Sequence, residues 1–133
     1  MIKILLIEDN PGDARLIKEY LTDLKTIEHT LQIADRLKSG IEILENEFID
    51  VVLLDLKLPK VNGLEVLRSM KNDPHLQTIP VVMVTSSAEH PDVKAAYNLG
   101  ANGYVIKPVQ FDSFMEAMSK VGVYWLMVNH PMK

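Results

Sequence analysis

The stretch Ile4-Leu5-Leu6-Ile7-Glu8-Asp9 sets four apolar residues in unbroken succession directly before two acids. A strand with one solvated face alternates apolar and polar side chains. A run without alternation instead suits a strand buried on both faces, as in a parallel sheet. The same form recurs at Val51-Val52-Leu53-Leu54 and Val81-Val82-Met83-Val84, with weaker strand candidates at Thr30-Leu31-Gln32-Ile33-Ala34 and Gly103-Tyr104-Val105-Ile106. A segment of helical period follows each of them. Leu16, Ile17, Tyr20, Leu21 and Leu24 line one face; Leu37, Ile41 and Leu44 line a second; Leu64, Leu67 and Met70, after Asn62-Gly63, line a third. Val93, Ala96 and Tyr97 mark a short fourth helix opened by Pro91, a residue suited to a first helical turn. Phe111, Phe114, Met115, Met118, Val121, Gly122 and Trp125 mark a fifth, expected to end near Val128. Strict alternation of five strand–helix units predicts an α/β fold, a doubly wound parallel sheet covered by helices on both faces through right-handed crossovers.

The chain's 133 residues match one domain, so residues 1–133 are read as a single unit with 129–133 as a short tail. An apolar fraction of 47% with 24% charged residues excludes a disordered or collagen-like chain. Fourteen basic against eighteen acidic residues leave a net charge of −4, without the basic field that nucleic acid requires. The absence of cysteine removes disulfides, thiolate metal sites and a cysteine nucleophile. The longest uncharged apolar stretch, Val121 to Val128, falls well short of the ~20 residues of a membrane helix. These features predict a soluble, cytoplasmic protein that partners neither nucleic acid nor membrane.

Ligands of such open sheets bind beyond the carboxyl ends of the strands. There the first strand runs into Glu8-Asp9-Asn10, the third into Asp55, the fourth into Thr85-Ser86-Ser87 and the fifth into Lys107-Pro108. Each has an ordinary explanation alone: Asp9 or Asn10 caps a helix, Thr85 favours strands, and Lys107 is a solvated charge. Independent caps have no reason to fall at four strand ends, however. Clustered carboxylates repel one another unless a cation neutralises them. Hard oxygen ligands suit Mg²⁺, and a lysine among them binds a phosphoryl group as a point charge. Because a carboxylate attacks phosphorus, the set reads as machinery for moving a phosphoryl group onto Asp55, with Mg²⁺ and Lys107 balancing charge.

Glu8-Asp9, Asp55 in Leu54-Asp55-Leu56-Lys57-Leu58-Pro59, the following Asn62-Gly63, Thr85-Ser86 and Lys107-Pro108 together strongly resemble the receiver domains of two-component response regulators. The resemblance spans essentially the whole chain. Ile7-Glu8-Asp9-Asn10-Pro11-Gly12-Asp13 and Tyr124-Trp125-Leu126 are most similar to the small stand-alone regulators, including those paired with phytochrome-type histidine kinases. The resemblance implies a flavodoxin-like sheet of order 2-1-3-4-5 with five helices. It also implies that Asp55 accepts a phosphoryl group from a sensor histidine kinase or a phosphotransfer protein. Glu8, Asp9, Asp55 and the backbone carbonyl of Lys57 are then the Mg²⁺ set. Thr85 and Lys107 bind the phosphoryl group, and the Lys107–Pro108 bond is typically cis. Lys57 and Ser87 flank the site and modulate acyl phosphate lifetime. Tyr104 occupies the aromatic switch position, although by itself it reads equally as a half-buried strand aromatic.

The competing enzyme reading is a Mg²⁺-dependent phosphohydrolase of similar fold with an aspartyl nucleophile. Haloacid-dehalogenase-like phosphatases carry a second acid two residues after the nucleophile, where this chain has Lys57, and no cap domain is evident. A nucleotide- or flavin-binding reading is weaker, because the first loop is acidic and lacks a glycine fingerprint. A degenerate receiver that is never phosphorylated is disfavoured by the complete residue set. With no output domain in view, effect is expected through a downstream protein target, relay or a phosphate sink. The apolar cluster Val123 to Val128 is wider than one helix face and predicts docking on the domain itself or a homodimer through the fifth strand and C-terminal helix.

Overall fold

Ile2–Ile7 (β1) lies inside the sheet, hydrogen-bonded on one side to His29–Ala34 (β2) and on the other to Val51–Leu54 (β3). Val81–Thr85 (β4) follows β3 and Gly103–Ile106 (β5) closes the far edge, so the parallel order is 2-1-3-4-5 as expected. The computed structural model describes residues 2–22, 29–58, 61–86 and 90–119. Between the strands run helices Pro11–Thr22 (α1), Leu37–Asn46 (α2), Gly63–Asn72 (α3), His90–Asn98 (α4) and Phe111–Ser119 (α5). The expected continuation of the fifth helix to Val128, Leu24 of the first helical face, the 129–133 tail and the C-terminal apolar cluster lie outside the described residues.

Absence of alternation has its cause in the layers. Ile4 and Leu6 of β1 face α1 and α5, packing with Ile17, Leu21, Phe114, Met115 and Met118. Leu5 and Ile7 face the opposite side, with Leu44 of α2, Leu67 and Met70 of α3 and Ala96 of α4. β3 and β4 are buried throughout. The two strands with the weaker sequence signal are the sheet edges, where β2 and β5 keep exposed positions.

Local chemistry sets the helix ends. Asn62 caps α3 by accepting from the Leu64 N–H at 2.8 Å. Gly100, at φ 106°, ends α4 in the left-handed region, with Ala101 N–H donating to the Ala96 carbonyl at 3.0 Å as in a Schellman turn. A feature not expected from the sequence is a two-residue antiparallel ribbon of Lys57–Leu58 with Val61–Asn62, between β3 and α3. Two residues per strand carry no readable period.

Candidate functional site

The sheet's own hydrogen bonding carries the site residues just past the ends of the strands. Glu8 N–H donates to Ala34 O at 2.9 Å, Asp55 N–H to Ile7 O at 3.1 Å and Lys107 N–H to Thr85 O at 2.8 Å. Glu8, Asp55 and Thr85 are thereby held on rigid backbone at one edge. Among the described residues they are the polar or charged side chains buried with the core, whereas Asp9 is exposed. One carboxylate oxygen each from Glu8, Asp9 and Asp55 lie within 4.8 Å of one another.

Lys107 reaches this cluster from β5. Its ammonium lies 2.7 Å from Glu8 Oε1, 3.0 Å from Asp13 Oδ2 and 3.2 Å from Asp55 Oδ2. The Lys107–Pro108 peptide is cis. Glu8 Oε2 accepts from the Asn10 N–H at 3.1 Å. Glu8 Oε1 is buried and faces the Lys107 ammonium. Three clustered carboxylates with one ammonium among them leave an excess of negative charge on hard oxygen ligands, which a divalent cation neutralises. The acidic cluster therefore fits a divalent cation.

Burial pushes the Glu8 carboxyl up to about 7; Lys107 and the Asn10 N–H oppose this, and neighbouring Asp55 adds to it. Burial alone pulls the Lys107 ammonium down, but hydrogen bonds to Glu8 and Asp13 and the charges of Asp55 and Glu8 outweigh it and raise it overall. For Glu8 the folded value exceeds the ordinary 4.5, so the native state holds the proton more tightly than the unfolded chain. The associated stability is complete below the unfolded value and disappears as pH rises through the folded one. In EDTA, the melting temperature is expected to fall as pH rises from about 4.5 to about 7. Glu8→Gln should flatten that slope, which a thermal-shift series checks.

The residues matched by sequence fall into three groups. Glu8, Asp9, Asp55 and Lys107 come together at one edge, with Thr85 closing β4 beside them. Tyr104 sits further back on β5, half-buried, paired in register with Met83 and packed 6.5 Å from the Tyr97 ring. Thr85 pairs with Ile106, two residues on from Tyr104 along the same face. Lys57 belongs to the short ribbon beyond Asp55, and Ser87 lies outside the described residues. Asp13 was not foreseen as a partner of Lys107. Its sequence signal is its place three residues after Asn10, in the first turn of α1.

Compared with known proteins, residues 4–119 match the family model of the response regulator receiver domain. The chain belongs to this family. The receiver is 36% identical over 133 residues to the response regulator Rcp1 of Synechocystis, an alignment covering 92% of this chain and 88% of that one. A structure of the bacteriophytochrome response regulator AtBRR superposes with a TM-score of 0.82 at 40% identity, covering 98% of this chain and 99% of the other. A Mn²⁺-bound form of Rcp1 gives 0.76 at 34% identity over 99% and 98%. The phosphorylated cyanobacterial phytochrome response regulator RcpA gives 0.78 at 31% identity over 98% and 96%.

Receivers are the phosphoacceptor modules of two-component signalling, taking phosphoryl groups from histidine kinases or phosphotransfer proteins. This receiver is thus a signalling phosphoacceptor. Among the described residues no helix is long and apolar enough to cross a membrane.

Proposed function

We propose that this receiver, acting as a single unit over residues 1–133, accepts a phosphoryl group on Asp55 in a Mg²⁺-dependent reaction. The observation that carries the reading is the buried Asp55 carboxylate, 3.2 Å from the Lys107 ammonium and clustered with the carboxylates of Glu8 and Asp9. Glu8, Asp9, Asp55 and the Lys57 carbonyl are the groups that would hold Mg²⁺. A bound divalent ion supplies positive charge for phosphoryl oxygens.

The chain's own residues supply the remainder. An Asp55 carboxylate oxygen forms the new P–O bond as the donor's P–N bond breaks and the imidazole departs. Lys107 neutralises charge on the transferring group, and the burial of Glu8 and Asp55 keeps these charges strongly coupled. The Thr85 hydroxyl binds a phosphoryl oxygen, and Lys57 and Ser87 adjust the access of water to the acyl phosphate. The added charge draws Thr85 toward the modified carboxylate, and Tyr104 turns into the space beside β4. The surface around α4, β5 and α5 then changes shape for a downstream protein, as a shift between two states. Relatives named for phytochromes support a phytochrome-type sensor kinase as donor, in the cytoplasm, and the exposed Ile106 on edge strand β5 fits a homodimer contact.

Acetyl phosphate with Mg²⁺ is expected to add one phosphoryl group to the intact mass, and EDTA to prevent it. An unchanged mass in Mg²⁺, together with no binding of beryllofluoride, would remove the proposal.

A further inference from the structure

Three carboxylates surround one ammonium at the sheet edge, and one of them comes from neither a strand end nor the cation cluster. Asp13 stands in the first turn of α1 with its Oδ2 3.0 Å from Lys107 Nζ. Its side chain is 25% exposed and that of Lys107 13%, so the pair is largely withdrawn from water. The start of α1 explains why Asp13 points there. Asn10 Oδ1 accepts from the Asp13 N–H at 3.0 Å, making Asn10 the cap and Asp13 the third helical residue. In a capping box, an acid at that position folds back to the cap's own N–H. Here Glu8 Oε2 already accepts that N–H at 3.1 Å, and the Asp13 carboxylate turns to Lys107 instead. The helix dipole also favours an anion in this turn.

We propose that Asp13 is a positioning residue that competes with the modified Asp55 for the Lys107 ammonium and so restrains phosphoryl binding. The inference rests on Asp55 being the phosphoacceptor. An ammonium has three donors, and in the unmodified protein carboxylates lie in three directions around this one. A phosphoryl group on Asp55 brings further charge and acceptor oxygens that Lys107 must face. The contact with Asp13 stabilises the unmodified state, and the Asp13 charge also repels an incoming anion. Both effects act in one direction. Asp13→Asn keeps the shape and an oxygen that accepts from Lys107 while removing the charge.

Beryllofluoride, as a phosphoryl mimic, is titrated calorimetrically in saturating Mg²⁺, and Mg²⁺ is titrated alone. The proteins compared are the wild type, Asp13→Asn, the smaller Asp13→Ser, and Asp35→Asn. Asp35 is an exposed acid that lines the same groove as Glu8 and Asp9 but pairs with Arg36. Both Asp13 variants are expected to bind beryllofluoride roughly threefold to tenfold more tightly, the scale of one partly exposed ion pair. Mg²⁺ alone should bind them no better than the wild type, a split that general damage to the site would not produce. Asp35→Asn should match the wild type. Equal or weaker beryllofluoride binding by both Asp13 variants overturns the role of Asp13, as does an equal gain in Asp35→Asn. A wild type that binds no beryllofluoride overturns the phosphoacceptor reading itself, and this inference with it.

Discussion

Asp55→Asn is expected to abolish phosphorylation by acetyl phosphate, with no mass gain at times that modify the wild type fully, while leaving the fold intact. The amide has the carboxylate's shape but is not a nucleophile toward phosphorus. The backbone position is unaffected, since Asp55 is held by its N–H bond to Ile7 O at 3.1 Å within the sheet ladder. Removing one partner of a buried ion pair ordinarily destabilises, because the other charge is left uncompensated. Lys107 here retains Glu8 at 2.7 Å and Asp13 at 3.0 Å, so no charge is orphaned. The substitution also relieves the like-charge pressure that Asp55 adds to Glu8. In EDTA the variant is therefore expected to melt no lower than the wild type, and Mg²⁺ should raise its melting temperature less. A variant that still gains phosphate stoichiometrically places the acceptor elsewhere.

Gly63→Ala is expected to have the largest effect on stability of any single methyl group near the site. A Cβ at this position would run into the Asp55 carbonyl oxygen and come within 2.7 Å of Leu56 Cα and 2.9 Å of Leu56 O. All three are backbone atoms, so no side-chain rotation relieves the clash. The Gly63 N–H already donates to Leu56 O at 2.6 Å, drawing the start of α3 onto the segment that follows the acceptor. Forcing atoms into a close-packed interior costs about 1–3 kcal/mol, and the upper end applies here because the backbone itself must move. Urea unfolding should show a lower midpoint at unchanged slope. Displacement of the segment from Asp55 to Leu56 should also weaken beryllofluoride binding. A variant with wild-type midpoint and wild-type binding would show that this approach is not needed.

The fold was legible wherever a residue's environment follows from its own position in a strand. β1, β3 and β4 carry unbroken apolar runs because both their faces are covered, as Leu5 and Leu6 show by pointing to opposite sides. Glu8, Asp55, Thr85 and Lys107 could be placed together because a parallel sheet brings all its strand ends to one edge. Asp13 and Gly63 were not legible in this way. Asp13 meets Lys107 through the reach of a long side chain across two elements, which no periodicity encodes. The requirement for glycine at 63 depends on how closely the Asp55 carbonyl approaches α3. Asn62-Gly63 does mark a helix start in the sequence, but the ribbon that folds the intervening segment back is too short to leave a pattern.

If the phosphoryl group resides on one side chain, its chemistry can be read there directly. After phosphorylation with acetyl phosphate and Mg²⁺, borohydride reduces an acyl phosphate at the modified carboxyl to an alcohol, which peptide mass mapping locates. A single reduced residue, Asp55, is expected, and it should be lost when EDTA replaces Mg²⁺. Reduction at Asp9 or Glu8 instead, or a phosphate that resists borohydride on a hydroxyl or imidazole, would contradict it.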